Sequence, residues 1–415
     1  MKQQNQPQKI YGRETIHEWK KVRIQDVAHR ITSGGTPSTK ISEYYGGRIP
    51  WLNTQEINFR PITGTKQFLT EFGLANSSAK WIEPNSIIIA MYGATAGKSA
   101  ISKIRLTTNQ ACCNITIDDV KADFRFIYYA IVDAYNELEN LASGAAQQNL
   151  NVTIISNFEI PLPPLAEQRA IAEVLSSLDD KIDLLHRQNK TLESLAETLF
   201  RQWFIEQAKP DWKEGTIADL IDFNPPRKLS KKTNAPYLEM AELNSNTFNP
   251  DGWYMREFSS GTKFINGDTL LARITPCLEN GKTAYITFLD EGQVAWGSTE
   301  YIVMRSKSEL HPFFAYTLAR NNDFRDYAEG CLEGSSGRQR VNVDHLKNYN
   351  FLIPDELAIR QFNEFSKSTV PKLHANAKQV NTLETLRDTL LSKLMSGEVQ
   401  VSTQSVSSNH LQHSI

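Results

Sequence analysis

The stretch "TLESLAETLF" at residues 191–200 returns as "TLETLRDTLL" at residues 382–391, with six of ten positions identical. The two stretches are 191 residues apart, and the alignment runs back without a gap through Pro163, which falls on Pro354, to Asn151, which falls on Asn342. Further upstream a Trp-Lys pair opens both copies, at Trp19 and at Trp212. A repeat of this length indicates a duplicated structural unit, so we predict two copies of one fold that together make up nearly the whole chain.

The first part of each copy is predicted to be a sheet. Its apolar runs are short, rich in β-branched and aromatic residues, and separated by Gly, Asn and Pro, as is typical of strands joined by long loops. The runs are "SIIIAMY", "CCNITI", "GDTLLARI", "TAYITFL" and "STEYIVM". They favour a twisted mixed sheet in each copy, which makes the chain an α+β protein.

The second part of copy one changes to a helical period. From Ile171 onward, apolar side chains alternate at steps of four and three residues, the spacing of a coiled-coil seam. The seam positions are Leu175, Leu178, Ile182, Leu185, Leu192, Ala196, Leu199 and Trp203. Asn189 stands within the seam, and two interpretations remain open: a buried amide that meets a polar partner and fixes the register, or an amide that faces solvent on a bent helix.

The helical part of copy two contains a proline. Pro371 lacks a backbone donor, so we predict a short helix from about Leu357 and a longer helix after the proline. The apolar positions of the longer helix are Leu373, Ala377, Val380, Leu383, Leu390 and Leu394. Since an apolar seam needs a partner and the chain must return, the two helices are expected to form an antiparallel coiled coil that separates two mixed-sheet globular domains.

The repeat and the change of period set the predicted domain boundaries. In chain order we expect an N-terminal arm at 1–18, a first globular domain at 19–164, a central helix at 165–207, a second globular domain at 212–355, a second central helix, broken at Pro371, at 356–398, and a tail at 399–415. The tail is polar and rich in Ser, which favours disorder.

The composition is that of a globular protein with more than one domain: 40% of the 415 residues are hydrophobic and 22% are charged. The longest apolar run is far shorter than the roughly 20 residues of a membrane helix, and the first residues show no export signal. The four cysteines lack the spacing of a zinc site or a disulfide framework. We therefore expect a cytoplasmic protein that needs no metal and no cofactor. The net charge of -2 leaves nucleic-acid binding to local patches.

Two globular domains, each followed by a long helix and related by a repeat, resemble the specificity subunit of type I restriction-modification systems. The resemblance covers nearly the full length. It rests on several stretches taken together: "TNQACCNI" at 108–115, "IPLPPLAEQRAIAEVL" at 160–175, "LLARI" followed by "NGKTAYI", and "TLRDTLLSKLMSGEV" at 385–399.

The resemblance implies a DNA-recognition subunit without catalytic activity of its own. It implies two target-recognition domains, each reading one half of a split site in double-stranded DNA, with the helices setting the gap between the halves. It also implies two methyltransferase (modification) subunits as partners and, in the full complex, the translocating restriction subunits. A specificity subunit that serves a fused methyltransferase-nuclease would show the same sequence features.

One motif favours a different function at first sight. The stretch "MYGATAGKSA" contains Gly97-Lys98-Ser99, as a phosphate-binding loop would, but the early glycine of such a loop is replaced by Tyr92. Copy two has Gly281-Lys282-Thr283 at the corresponding place, and Pro276 stands where that glycine would be. We interpret both motifs as strand ends that bring Tyr92, Lys98 and Lys282 to DNA. A hairpin turn with a solvated lysine is the alternative, and a P-loop-like nucleotide-binding enzyme is the least favoured hypothesis.

A second motif, Asn224-Pro225-Pro226, opens the loop in which amino-methyltransferases hold a flipped base. The aromatic residue required next is replaced by Arg227, so methyl transfer by this chain is not expected. The loop is basic instead, and its cations suit contacts with phosphates. They are Arg227, Lys228, Lys231 and Lys232. A solvated loop with incidental charge is the alternative.

Polar loops at comparable places of the two copies are the remaining candidates for DNA contact. Asn and Gln can hydrogen-bond adenine, and Arg or Lys can hydrogen-bond guanine. The candidates in copy one are Ser33, Thr36, Lys40, Asn53, Gln55, Asn109, Gln110, Gln147 and Gln148, and those in copy two are Arg273, Thr299, Arg338, Gln339 and Arg340.

Lengthening the first helix tests the expected role of the helix pair. Four residues inserted near Asn189-Lys190 add about one helical turn, roughly 6 Å, so the gap between the half-sites should grow by about one or two base pairs while both half-sites stay the same. Methylome sequencing of cells that carry the chain with its partner measures the gap. A gap that does not respond to helix length would contradict the expectation.

Overall fold

The computed structural model describes residues 19–143, 149–245, 247–335 and 337–401. These residues divide into two compact units. Unit 1 consists of the described residues up to Asp180 together with those from Glu384 onward, and unit 2 runs Lys181–Leu383. The expected N-terminal arm at 1–18 and residues 402–415 of the expected tail lie outside the described ranges. No helix within those ranges has the length and the apolar character to span a lipid bilayer.

Copy one of the repeat builds short strands and helices in unit 1. In chain order they are β1 (Lys20–Arg23), α1 (Ile24–Val27), β2 (Ala28–Ser33), β3 (Tyr45–Leu52), β4 (Gln67–Leu69), α2 (Glu71–Ala75), β5 (Ile87–Ala90), β6 (Ser99–Ile101), β7 (Thr107–Thr108), β8 (Cys112–Ile117), α3 (Phe124–Asp133), α4 (Tyr135–Ser143), α5 (Val152–Asn157) and β9 (Glu159–Leu162). The long helix α6 (Leu165–Arg201) follows and ends in a π-helical turn, Gln202–Glu206.

Copy two builds a similar series in unit 2. It comprises β10 (Lys213–Thr216), β11 (Ile221–Phe223), β12 (Asn234–Leu238), β13 (Tyr254–Glu257), β14 (Thr262–Phe264), β15 (Thr269–Ala272), β16 (Thr283–Tyr285), β17 (Ala295–Gly297), β18 (Tyr301–Ser306), α7 (Phe313–Arg320), α8 (Asn322–Gly330), β19 (Leu332–Glu333), β20 (Arg340–Val341), α9 (Val343–Leu346) and β21 (Asn350–Ile353). The second long helix, α10 (Glu356–Met395), completes the series.

The two copies share one sheet topology. The four-stranded sheet has the order β2-β8-β5-β6 in unit 1 and β11-β18-β15-β16 in unit 2, with antiparallel neighbours throughout. A second sheet contains a parallel pair in each unit, β3 with β7 and β12 with β17. The Trp-Lys start of each copy pairs with its Pro-containing end, β1 with β9 and β10 with β21. The predicted duplicated mixed-sheet fold is therefore confirmed.

One of the two central strands of each four-stranded sheet, β5 or β15, is buried on both faces. In β5, Ile87 and Ile89 enter the core that contains α3, whereas Ile88 enters a second core on the opposite face. In β15, Leu271 and Leu270 divide in the same way between two cores of unit 2. Because successive strand residues point to opposite faces, a strand buried on both faces reads as a continuous apolar run rather than an alternating one.

The long helices pack antiparallel within each unit. In unit 2, Ile182 and Leu185 of α6 form an apolar cluster with Val380 of α10, while Asn189, further along α6, contacts the earlier α10 residue Leu373. In unit 1, residues 171–175 of α6 share a core with the end of α10. The predicted coiled coil is therefore confirmed.

Asn189 lies in the helix interface and has a polar partner. Its Oδ1 accepts a hydrogen bond from Nδ2 of Asn376 at 2.8 Å, and its own Nδ2 donates to the carbonyl oxygen of Leu373 at 3.3 Å. The Asn376 side chain is 1% exposed. Of the two interpretations that the sequence left open, the structure supports the amide that meets a polar partner.

Beyond Asn189 the buried face of α6 departs from the predicted seam. Phe200 and Phe204 are buried, whereas the seam residues Leu199 and Trp203 are only half-buried. The two phenylalanines contact the aromatic rings of Phe314 and Phe362 at centroid distances of 5.2–6.3 Å. The heptad pattern fails here because α6 packs against a globular aromatic core as well as against another helix.

The predicted break at Pro371 is wrong, since α10 runs unbroken through the proline. A proline inside a helix removes one backbone hydrogen bond and costs about 3 kcal/mol. Residues on both sides of it are held in the unit 2 core, with Phe362 and Leu373 fully buried and Val370 packed against the same cluster. Burial of side chains of this size stabilises by about 2 kcal/mol each, which offsets the cost.

A buried acid joins α6 to the globular part of unit 2. The Glu193 side chain is 6% exposed and accepts a hydrogen bond from the Tyr316 hydroxyl at 2.7 Å. One turn later, Glu197 pairs with Arg320 at 3.3 Å. Burial raises the pKa of Glu193 to about 7, against the opposing effects of the Tyr316 hydrogen bond and of Arg320.

The asparagine pair can be tested by replacing one or both of its members. In Asn376→Leu, the Asn189 side chain loses its partner, so the free energy of unfolding should fall by about 1–3 kcal/mol. The double variant Asn189→Leu/Asn376→Leu should recover much of that loss because neither polar group remains. Urea unfolding measures both, with the exposed Gln379→Leu as the control. A double variant less stable than either single one would contradict this account.

The buried acid predicts a pH dependence of stability. Because the pKa of Glu193 is raised from 4.5 to about 7 on folding, its carboxyl destabilises the folded chain increasingly as the pH rises through that window. Glu193→Gln should therefore gain stability relative to the parent chain, by roughly 2 kcal/mol between pH 5 and pH 8. Thermal unfolding across this range measures the gain. The exposed Glu364→Gln on α10 should show no such trend, and equal pH profiles for parent and Glu193→Gln would refute the assignment.

Candidate nucleic-acid interface

Unit 1 has an open cleft where strands β3 and β7 end. Its volume is about 710 Å³. The lining residues are Thr39, Tyr45, Gly46, Trp51, Asn53, Thr54, Gln55, Lys66, Gln67, Phe68 and Asn109. The structure therefore brings together three of the residues expected to contact DNA: Asn53, Gln55 and Asn109.

Three amides form a hydrogen-bonded chain across this cleft. The main-chain N–H of Ala111 donates to Oδ1 of Asn109 at 3.1 Å. Nδ2 of Asn109 donates to Oδ1 of Asn53 at 3.1 Å, and Nδ2 of Asn53 donates to Oε1 of Gln67 at 3.0 Å. Because a backbone N–H can only donate, it fixes the direction of the whole chain. The amino group of Gln67 is left as the donor end, at the exposed rim.

Aromatic side chains form the rigid wall of the cleft. Trp51 is 4% exposed, and its indole N–H donates to the carbonyl oxygen of Gly35 at 3.0 Å. The Tyr45 hydroxyl donates to the carbonyl oxygen of Pro37 at 2.7 Å, and the two rings meet edge to face at a centroid distance of 5.7 Å. With the polar atoms of both rings satisfied, the wall presents fixed apolar surface beside the amides.

The other described candidates in copy one do not line this cleft. Thr36 is hydrogen-bonded to Gln110, which joins two of the expected polar loops. Ser33 at the end of β2 is exposed, and so are Lys40 and Tyr92. Gln147 and Gln148 lie outside the described residues.

Lys98 and Lys282 stand at the same place in two β-hairpins. Each motif leads into a strand, β6 or β16, whereas a phosphate-binding loop leads into a helix. Nζ of Lys98 donates to Oδ1 of Asn58 at 2.7 Å, and Nζ of Lys282 donates to the carbonyl oxygen of Met240 at 3.0 Å. Both lysines therefore support the loop that follows β3 or β12, a structural role closer to the hairpin-turn alternative.

Unit 2 has a pocket of about 380 Å³ where β11, β15 and β18 meet. It brings together Arg227, Arg273 and Thr299, all expected to contact DNA, and adds Lys263. Asn224 shapes the entrance with φ of 50°, a left-handed conformation that Asn tolerates. Its side-chain oxygen accepts a hydrogen bond from the Val303 N–H at 2.9 Å, which fixes the loop to β18.

The fully buried carboxyl of Asp268 supports this pocket from behind. It accepts hydrogen bonds from Arg227 at 3.3 Å and from Arg305. Burial raises the pKa of Asp268, and the Ile265 N–H and the two arginines oppose that rise. The carboxyl thus holds the Arg227 guanidinium in place.

The remaining basic candidates of copy two are exposed and lie outside this pocket. Lys228, Lys231 and Lys232 follow Arg227 along the loop, and Arg338 is exposed near β20. The main chain of Gln339 is hydrogen-bonded to Thr275. The Arg340 guanidinium is paired with Glu300 at 2.7 Å, so its charge is largely neutralised within unit 2.

Sequence reasoning missed Gln67, Lys66 and Lys263, all of which line the two cavities. Gln67 lies on β4, which pairs with the preceding strand β3 across the loop at residues 53–66, and Lys263 lies on β14, which pairs with β17 beyond two intervening strands. One signal was present: the tripeptide Gly-Thr-Lys occurs in both copies, at residues 64–66 and 261–263. A search for short repeated polar motifs would have found both lysines.

Comparison with known proteins agrees with this architecture. Residues 16–194 match the family model described as type I restriction modification DNA specificity domain. The MjaIX type I restriction enzyme specificity subunit of Methanocaldococcus jannaschii is 26% identical over 414 residues, covering 92% of this chain and 94% of that protein. The MjaVIII specificity subunit of the same organism is 20% identical over 428 residues, covering 94% of this chain and 95% of that protein.

A solved structure shows the same fold. The crystal structure of a type I restriction-modification system S subunit from M. genitalium superposes with a TM-score of 0.54 at 17% sequence identity, covering 91% of this chain and 96% of that one. The match to the DNA specificity domain covers residues 16–194, and the two relatives of matching length are both type I specificity subunits. Over nearly its full length the chain is similar to type I restriction-modification specificity subunits.

Proposed function

We propose that this chain is the DNA sequence-specificity subunit of a type I restriction-modification complex, in which each unit contacts one half of a split double-stranded site. One observation carries the proposal. The two units have the same sheet order, in which β8 of unit 1 corresponds to β18 of unit 2. In each unit a polar cavity is lined by a residue just before that strand, Asn109 before β8 and Thr299 before β18.

Strand register identifies corresponding positions in the two units. Ala90 pairs with Cys112 in unit 1, and Ala272 pairs with Tyr301 in unit 2. Two residues before these partners stand Gln110 and Thr299, which therefore correspond. Both side chains are exposed, so the same part of the repeated fold offers a different hydrogen-bonding group in each copy.

The chemistry of the two cavities favours nucleic acid as the ligand. Base edges are read by amides, hydroxyls and apolar surface, and phosphates are held by cations. The unit 1 cleft supplies amides beside Trp51 and Tyr45, and the unit 2 pocket supplies Arg227 and Arg273 beside Thr299. Both cavities open to the surface, as contact with a duplex requires.

We propose that the chain recognises DNA and leaves catalysis to its partners. Those partners would be two methyltransferase subunits and, in the full complex, restriction subunits, all in the cytoplasm. Mass spectrometry of the complex purified from its host distinguishes separate partners from a fused methyltransferase-nuclease. A nucleotide titration tests the remaining hypothesis: tight, magnesium-dependent binding at Lys98 or Lys282 would favour an enzyme.

A matched pair of substitutions tests the two-half reading of DNA. Gln110→Ala should relax or alter one half of the methylated sequence only, and Thr299→Ala the other half only, because each removes a side chain at the corresponding position of a different unit. Loss of one base contact costs about 1–3 kcal/mol, or roughly five- to 150-fold in affinity. Methylome sequencing of cells that carry each variant with the partner subunits reads both halves at once.

The control for this pair is Asp119→Asn, an exposed turn residue outside both cavities, which should leave the methylated sequence unchanged. If both test variants altered the same half, or if neither altered any base, the assignment of one half-site to each unit would be wrong.

The helix-insertion test needs a matched design. Since Asn189 is hydrogen-bonded to Asn376, four residues added only after Asn189 would shift one helix against the other. The same number added beside Asn376 restores the alignment of the pair. A change of gap with the matched insertion then reports helix length rather than damage to the interface.

A further inference from the structure

The unit 2 pocket is strongly cationic. Three positively charged side chains line it, Arg227, Lys263 and Arg273, together with Thr299. No Asp or Glu belongs to the lining within the described ranges of the chain. A cavity with this lining attracts an anion.

The two guanidinium groups are only partly satisfied by the protein. Nη1 of Arg227 donates to the carbonyl oxygen of Pro226 at 3.2 Å, and Nη2 of Arg273 donates to the carbonyl oxygen of Val341 at 3.0 Å. The Nε atoms of both arginines are buried and have no hydrogen-bond partner among the described residues. Buried polar groups are almost always paired, so both guanidinium groups keep hydrogen-bonding capacity that the protein itself does not use.

Nearby acids do not neutralise the pocket. The Asp268 carboxyl is shared by Arg227 and Arg305, one negative charge between two positive ones. Nζ of Lys263 has a neutral partner, the carbonyl oxygen of Arg227, at 3.3 Å. Glu300, which lies between Thr299 and Tyr301 in the chain, uses its carboxylate to bind Arg340. The lining therefore retains an excess of positive charge.

The corresponding place in unit 1 has no such pocket. By strand register, Gly34 and Gly35 correspond to Pro226 and Arg227. A Cβ atom on Gly35 would come within 2.2 Å of the main-chain nitrogen of Ala79. The chain is packed too closely there for any side chain, so the cationic pocket is a property of copy two alone.

We propose that this pocket binds one phosphate of the DNA backbone in the half-site that unit 2 contacts. The inference rests on the proposed function, which it makes more specific. Arginine binds phosphate through parallel charge-assisted hydrogen bonds, and contacts of this kind fix the position of the protein on the duplex without reading its sequence.

A phosphate fits the pocket better than a base edge does. A guanine edge is neutral and lies in a groove, which only a protruding arginine reaches. Arg227 and Arg273 are instead held inside a concave site by main-chain carbonyl oxygens. Together with Lys263 they supply three positive charges, which suit a group that carries a full negative charge. Arg273 therefore positions the DNA, and the reading of bases falls to the exposed loops.

The test combines a protein variant with neutral phosphates. The full chain with its methyltransferase subunits is bound to target duplexes in which one phosphate at a time is replaced by an uncharged methylphosphonate. One position in the unit 2 half-site should lower the affinity of the parent complex by roughly ten- to 100-fold, since a hydrogen bond to a charged group is lost. With Arg273→Gln, the same replacement should have almost no further effect.

The controls separate this contact from general charge and from misfolding. Lys228→Gln removes a neighbouring exposed charge outside the pocket and should keep the full methylphosphonate effect. Lys263→Gln removes a charge inside the pocket and should reduce it. Thermal unfolding shows whether each variant is folded, and the sequence methylated in cells should be the same for Arg273→Gln as for the parent.

Three results would overturn the proposal. The first is a loss of affinity on methylphosphonate replacement that is as large in Arg273→Gln as in the parent complex at every phosphate position. The second is a changed base in the sequence methylated by Arg273→Gln, which would make Arg273 a base reader. The third is saturable binding of ATP that Arg273→Gln abolishes, which would assign the pocket to a free nucleotide. A parent complex that protects no split sequence would instead refute the proposed function, and that result is visible before any variant is made.

Discussion

Each unit depends on a buried tyrosine that donates to a carboxylate of the long helix α6. In unit 1 the Tyr129 hydroxyl donates to Asp179 at 2.6 Å, and Arg387 of α10 pairs with the same carboxylate at 3.0 Å. In unit 2 Tyr316 donates to Glu193. Both tyrosines lie on the helix that follows the four-stranded sheet, α3 or α7. Each sheet and its helix pair are thus joined through a directional contact, which is buried in unit 2 and partly exposed in unit 1, where the Asp179 and Arg387 side chains are 23% and 24% exposed.

The duplicated fold could be predicted because its signals are local or periodic. The repeat, the apolar runs such as β5 and the four-three spacing of α6 all appear in the printed letters. The uninterrupted helix at Pro371 could not be predicted, because it depends on how much apolar surface the flanking residues bury. The buried Glu193 escaped notice for the same reason, since a charged residue at helical spacing usually faces solvent.

The candidate site was predictable in part. Asn53 and Asn109 were found because amides in loops are suited to bases, and Arg227 and Arg273 because cations are suited to DNA. The residues that complete each cavity with them were not predicted. Gln67 completes the amide chain from the strand after the Asn53 loop, and Lys263 completes the cationic lining from a strand that pairs beyond two intervening strands. The composition of a loop shows which hydrogen-bonding and charged side chains it can offer. Strand pairing decides which of those side chains lie in contact in the folded chain.

The asparagine pair between α6 and α10 also discriminates against sliding of the helices. If one helix slipped by seven residues so that Asn189 faced Leu383, Asn376 would face Ala196, and neither amide would have a side-chain acceptor or donor in reach. A purely apolar interface tolerates such slips because one leucine can replace another. Two amides buried without hydrogen-bond partners in that interface would instead destabilise the pair by several kcal/mol. A single polar match therefore selects one alignment from several that shape alone would permit.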